Sequence, residues 1–257
     1  MNRIAESFQK GKVFAAYLTA GDGDFIKSVE SSKALIEGGV NLLEIGVPFS
    51  EPVADGPVIQ QAMSRALSAG ATPYCALKLA KEVRRFSDIP LLLFTYYNPI
   101  LALGADFLER AKESGFDGVL IVDLPLEESE SFLAVVKRIG LDPVFVVTPS
   151  TSNKRVTLID AHSEGCIYYA CQKGTTGIRN SLPEDFGKQI DRIKKYSRLP
   201  VLAGFGISSR EVAEEVLDSA DGFVVGSAFV KVIGEKQNPE ILKEMVQKID
   251  PRSLEKV

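Results

Sequence analysis

The sequence predicts an α/β fold: a single (β/α)8 TIM barrel with an extra N-terminal helix, residues 1–257 forming one domain. Three observations lead there. Eight short runs rich in Val, Ile, Leu and Phe are spread from end to end, with amphipathic stretches between them. The runs are mostly apolar at consecutive positions, as in parallel strands buried on both faces. No composition break or Pro/Gly/Ser linker divides the chain, and eight βα units in 257 residues favour a closed barrel over an open sheet.

In chain order, the polar, amphipathic opening MNRIAESFQK is expected to form the extra helix, covering the lower mouth of the barrel. The first strand is 13–19, followed by a helix over 25–37 that stops at Gly38-Gly39. Strands at 42–46 and 91–96 come next. A helix over 105–114 ends before Gly115, a strand covers 118–123, and a helix over 127–139 ends before Gly140. Strands follow at 143–147 and 165–170, then a helix over 183–196 that opens on Pro183 at a first-turn position. The strand at 200–203 leads to a helix over 208–217, with serine caps ahead of Glu211. The last strand is 222–225, with a short helix after Gly226-Ser227.

Composition excludes several classes. With 45% hydrophobic and 25% charged residues and a net charge of −4, the chain has an ordinary globular balance and no basic block for nucleic acid or an anionic membrane. It contains no apolar run of about 18 residues and no signal-like opening, so a cytoplasmic protein is expected. Cys75, Cys166 and Cys171 form no CxxC pair and read as free thiols. His162, the single histidine, reads as a residue at a helix end on the outer ring, and no metal site can be built around it.

In a barrel of this kind, chemistry sits at the C-terminal ends of strands and in the loops after them. Glu44 lies inside the apolar run LLEIG, where a charged carboxylate is costly to desolvate. A buried ion pair would explain it structurally, but no strand supplies an obvious cation, so a proton-shuttling carboxyl with a raised pKa is the stronger reading. Asp123, at the end of the fourth strand, is either a loop cap or a substrate contact. The loop 47–57 holds three prolines, which stiffen it around Glu51 and Asp55. After the last two strands, GFGISS (204–209) and GSAF (226–229) form paired glycine loops that let backbone N–H groups approach a phosphate. A further glycine-rich stretch, QKGTTGIRN (172–180), has the character of a closing lid, and its Lys173 is a weak candidate for Schiff-base chemistry.

Together these pieces resemble the tryptophan synthase alpha subunit family over essentially the whole chain. The most specific piece is LEIGVPFSEPVADGPVIQ (43–60), supported in order by YLTAGD (17–22), YYNP (96–99), DLP (123–125), GTTG (174–177) and GFGIS (204–208). The resemblance implies cleavage of indole-3-glycerol phosphate to indole and glyceraldehyde 3-phosphate. It makes Glu44 the acid/base and Asp55 its partner at the indole nitrogen, places Tyr168 near the catalytic carboxylate, and lets Thr176 bond to Asp55 on lid closure. It assigns the phosphate to Gly177, Phe205, Gly206, Gly226 and Ser227. The indole would lie among Tyr17, Ile59, Phe94, Tyr96, Leu120, Phe205 and Val224. It also implies a beta-subunit partner in an alpha2beta2 tetramer. Pyridoxal phosphate would be held by that partner, with no cofactor in this chain.

Two positions depart from the family pattern: Glu51 stands where Asp is usual, and the lid begins Ala170-Cys171-Gln172-Lys173 where Ser-Arg is more common. Two other readings compete. One is a different phosphate-binding barrel, an isomerase, epimerase or Schiff-base aldolase, which leaves residues 43–60 unexplained. The other is a catalytically silent alpha subunit kept as an allosteric activator.

Overall fold

The computed structural model describes residues 2–171, 182–204, 206–235 and 238–254. Nine parallel strands form one sheet among these residues: β1 (Val13–Thr19), β2 (Leu42–Gly46), β3 (Leu91–Thr95), β4 (Gly118–Ile121), β5 (Asp142–Val144), β6 (Val146–Val147), β7 (Ile167–Ala170), β8 (Val201–Gly204) and β9 (Gly222–Val225). Their order is β5-β4-β3-β2-β1-β9-β8-β7-β6.

The strand expected at 143–147 is split, so the count is nine where eight were expected. Only Phe145 separates β5 from β6. The first half pairs with β4 (Gly118↔Asp142), the second with β7 (Val146↔Tyr168). The Phe145 carbonyl accepts the Tyr168 N–H at 3.1 Å, so the ladder changes sides there and the two ends of the sheet meet. Tilted, staggered strands in a closed barrel produce this hand-over.

Consecutive apolar positions now divide by parity. Val13, Ala15 and Tyr17 of β1, Leu42 of β2, Leu92 and Phe94 of β3, Leu202 of β8 and Val224 of β9 belong to an inner cluster. Their neighbours Phe14, Ala16, Leu43, Leu93, Ala203 and Phe223 pack outward among helix residues such as Leu35, Leu79, Phe107 and Ile190. Successive strand side chains point to opposite faces. Glu44 shares the parity of Leu42 and therefore faces inward.

The helices are α1 (Arg3–Gln9), at one end of the sheet, and around it α2 (Phe25–Gly38), α3 (Pro57–Ser68), α4 (Tyr74–Val83), α5 (Tyr97–Leu103), α6 (Ala105–Glu113), α7 (Glu130–Ile139), α8 (Asn153–Asp160), α9 (Phe186–Tyr196), α10 (Arg210–Leu217), α11 (Ser227–Gly234) and α12 (Pro239–Ile249). A 3-10 turn, Leu126–Glu128, precedes α7, so that helix starts later than expected, and Ser129 Oγ donates back to the Leu126 carbonyl of that turn at 2.7 Å. α9 likewise starts three residues beyond Pro183, at Phe186.

The expected plug at the lower mouth is α1. Its Ile4 is fully buried, seated over Gly118 and Gly165. Arg3 donates to Asp117 Oδ1 at 2.8 Å, while Asp117 Oδ2 accepts from Arg84 at 2.6 Å and from the Leu91 amide at 2.8 Å. The three cysteines are free thiols, and His162 lies exposed just after α8 with Nδ1 2.9 Å from the Leu158 carbonyl oxygen. Among the described residues no helix is long and apolar enough to cross a membrane.

Candidate active site

Glu44 occupies the middle of β2, in register with Tyr17 of β1 and Leu92 of β3. It is 1% exposed, and its Oε1 has no hydrogen-bond partner. The buried cation that would have given it a structural role is not found among the described residues. Burial alone pushes its carboxyl up to about 8.

Asp55 reaches the same region from the loop between β2 and α3. Its amide donates to the Pro52 carbonyl at 3.0 Å, and its own carbonyl accepts from Gln60 Nε2 at 2.8 Å. Gly56 then caps α3, with Pro57 at the first turn. The carboxylate is 2% exposed and accepts a 2.8 Å hydrogen bond from the Tyr96 hydroxyl. Burial raises Asp55 to about 6, with the Tyr96 bond acting against the rise. Both carboxyls lie close enough to Tyr17 and Tyr168 for their charges to push those phenols upward, although burial is the larger cause in each.

Three aromatic rings lie edge to edge in the lumen. Tyr17 meets Phe94 edge-on at 5.3 Å, and Phe94 meets Tyr168 edge-on at 6.4 Å. Glycines at strand ends make room for the two phenols. A Cβ on Gly46 would collide with the Tyr17 hydroxyl, and one on Gly204 with that of Tyr168. The Tyr17 hydroxyl is 3.2 Å from Thr19 Oγ1. Ile59, Leu120 and Val224 belong to the same inner cluster, with Tyr168 packed against it.

Tyr96 and Asp123 stand apart from that cluster. Tyr96 turns to Asp55, and exposed Asp123 accepts from the Tyr97 amide at 2.7 Å, capping α5. That bond accounts for Asp123 as a cap, the structural role weighed for it from sequence.

On the far side, Gly226 caps α11 and Ser227 is buried at its first position. The first amides of a helix have no intrahelical acceptor and favour an anion. Gly206 has a left-handed φ of 75°, which a residue with a side chain rarely adopts. β8 and β9 are neighbours, with Gly204 beside Val224, so the loops after them adjoin. Thr176, Gly177, Lys173 and Phe205 lie outside the described residues. Among the described residues no group of three or more His, Cys, Asp or Glu could hold a metal ion.

Sequence reasoning did not find the bond from Tyr96 to Asp55, nor the placement of Phe49, whose ring lies 5.2 Å from that of Tyr96. The usable signal was strand adjacency: a residue closing β3 borders the loop that follows β2.

A family model described as "Tryptophan synthase alpha chain" matches residues 4–256. The chain is 48% identical to the tryptophan synthase alpha chain of Coxiella burnetii (strain CbuK_Q154), covering 98% of each. It is 50% identical to that of Chlamydia felis (strain Fe/C-56), covering 98% of this chain and all of the other. A solved structure from Aquifex aeolicus VF5 superposes with a TM-score of 0.90 at 37% identity, covering 97% of this chain and 98% of that one. A mutant tryptophan synthase alpha subunit from Pyrococcus furiosus gives 0.86 at 38% identity, covering 93% and 98%.

Proposed function

Because the chain belongs to the tryptophan synthase alpha chain family, we propose that it is a cytoplasmic lyase of tryptophan biosynthesis that cleaves indole-3-glycerol phosphate into indole and glyceraldehyde 3-phosphate. One observation carries the reading. Two buried carboxyls share one lumen, and Glu44 holds its proton to about pH 8 while Asp55 loses its own above about pH 6. Between those values the site contains one acid and one anion, the pair that the reaction requires.

The bond from indole C3 to the glycerol carbon breaks only if its electrons have an acceptor. Glu44 gives its proton to C3, which turns the ring into an indolenine. The ionised Asp55 favours the positive charge that develops at N1–H. The hydroxyl on the adjoining glycerol carbon then returns a proton to the Glu44 carboxylate. Its oxygen becomes the aldehyde, and the carbon–carbon electron pair flows back into the ring. Proton and charge both balance, and Glu44 ends as it began. The protonated ring is its own electron sink, so the step draws on no metal or organic cofactor in this chain. Pyridoxal phosphate is assigned to a beta subunit, the expected partner in an alpha2beta2 tetramer, which receives the indole.

Substrate is oriented from both ends. The indole lies among Tyr17, Ile59, Phe94, Leu120, Tyr168 and Val224. The phosphate lies on the amide of Gly206 after β8 and on those of Gly226 and Ser227 at the start of α11; Gly177, Phe205 and Thr176, which the family resemblance adds, lie outside the described residues. Holding both ends lowers the entropic part of the barrier.

The test is indole release by wild type, Glu44→Gln and Asp55→Asn, each alone and with a beta subunit. General acid–base catalysis is typically worth about 10²–10⁴-fold, so Glu44→Gln should fall by at least that range's lower bound. A variant retaining more than about a tenth of wild-type turnover removes Glu44 from the mechanism. No indole from wild type under either condition makes the chain a silent activator instead.

A further inference from the structure

Tyr96 is the first residue after β3 and caps α5. It is 1% exposed, and it meets the loop after β2 at three places. Its ring lies against Phe49, its hydroxyl accepts the Ala54 N–H at 3.0 Å, and the same hydroxyl reaches Asp55 Oδ2 at 2.8 Å. An amide can only donate, so the bond from Ala54 uses a lone pair of the phenol and leaves the phenol's one proton for Asp55. Asp55 Oδ2 is thereby committed to accepting, a role that the ionised carboxylate fills best. The backbone of Tyr96 is fixed in turn: Thr95 Oγ1 donates to its carbonyl at 3.1 Å, and the next amide, Tyr97, donates to Asp123 of the β4 exit at 2.7 Å.

We propose that Tyr96 is the positioning residue for Asp55, its hydroxyl oriented by the Ala54 amide so that the carboxylate is held as an acceptor at the barrel mouth, with Asp123 fixing Tyr96 from the neighbouring strand. The proposal rests on the reading of Asp55 as the charged partner of the ring nitrogen. It gives Tyr96 and Asp123 one shared role in place of two separate substrate contacts.

The surroundings leave Tyr96 without a substitute. Tyr17 of β1 and Tyr168 of β7 feel the charge of Asp55, Glu44 of β2 acts on the same two phenols, and Asp123 acts on Tyr96. All of these groups are acidic. Among the described residues Tyr96 is the one side chain that favours the charged form of Asp55, against the burial that opposes it.

The experiment is a carbon-13 NMR titration of the Asp55 carboxyl in protein labelled at aspartate, its resonance identified by loss in Asp55→Asn. Hydrogen bonds to charged groups are strong enough that Tyr96→Phe should raise the midpoint by roughly one pH unit. The acid limb of turnover should move with it, and kcat should fall more than KM changes. A midpoint that stays or drops overturns the proposal, because a merely structural tyrosine would lower turnover without moving it. Phe keeps the ring against Phe49. Should that variant not fold, Asp123→Ala at an exposed position is read by the same titration, with the same sign expected. The two readings fail separately. A shifted midpoint with fully active Asp55→Asn keeps the positioning and discards the charge role, whereas an unshifted one with inactive Asp55→Asn does the reverse.

Discussion

Glu44 is expensive to ionise because its carboxyl sits in an apolar lumen with Oε1 unpartnered. An Asp or Glu usually gains stability from being charged when folded, and here the sign is reversed. The folded value of about 8 lies above the unaffected value of 4.5, so the native state binds the proton more tightly than the unfolded chain does. That contribution is complete below pH 4.5, declines as pH rises towards 8, and is gone beyond it. Each pH unit in the window is worth about 1.4 kcal/mol. Asp55, raised to about 6, and Asp142, raised to about 7 by burial and then by Glu164, tilt the curve the same way over narrower windows. Glu44→Gln cannot ionise and should lose this dependence. Melting temperatures of wild type and the variant should diverge in the variant's favour from pH 5 to pH 8.5. Parallel curves would mean that Glu44 is charged in the folded protein throughout. The same substitution should abolish turnover, so one residue is predicted to give up stability for catalysis.

Two elements frame the lumen from opposite ends. At the top, Gly206 (φ 75°) and the first turn of α11 form the proposed anion end. Gly206→Asp should weaken substrate binding at least tenfold by placing a carboxylate there, while Gly206→Ala reports the backbone strain alone. Equal KM values for Asp and Ala would remove charge from the explanation. At the bottom, Ile4→Ala would empty the buried seat of α1, and large-to-small core changes of this kind cost roughly 2–5 kcal/mol. Denaturant melts should show that loss with turnover per folded molecule unchanged. How readable these elements were depended on how local their causes are. The strands were legible because both parities are apolar, and helix ends were legible at Gly38-Gly39, Gly115 and Gly140. The split at Phe145 was not, since it records which neighbour each half-strand meets. Nor was α5, whose Asn98-Pro99 reads as a turn. Pro99 is tolerated there because the first-turn amides need no acceptor within the helix. Glu44 was visible as a carboxylate that an apolar strand cannot explain. The Tyr96–Asp55 bond spans 41 residues and depends on β2 lying beside β3, so no local pattern announces it.

At the scale of the molecule, Asp55, the proposed charged group of the site, is tied to the surface by a single short segment. Glu51 and Val53 are exposed at the tip of the loop after β2, Val53 at 72%, and Asp55 follows two residues later. Leu101 of α5, 62% exposed, is on the helix that Tyr96 begins. The loop tip and α5 are therefore joined by the Tyr96–Asp55 hydrogen bond, so a partner seated on either would bear on the geometry of Asp55. The beta subunit expected from the family has the motive to do so, because indole released before docking would be lost to solvent. Coupling between two sites is reciprocal in free energy and typically worth about 1–3 kcal/mol. If beta binding favours the catalytic arrangement of this loop, a phosphate-bearing substrate analogue must tighten the alpha–beta complex by the same factor, about 5- to 150-fold. Titrating beta into alpha with and without the analogue measures it. Val53→Asp should weaken beta binding in both conditions, because it replaces the exposed apolar side chain at the tip with a second charge beside Glu51. Tyr96→Phe should leave the unliganded affinity near wild type and shrink the ratio between the two conditions, because it cuts the link while keeping the surface. A wild-type affinity that ignores the analogue would make the two sites independent. A ratio preserved in Tyr96→Phe would route the coupling through some other element than the bond to Asp55.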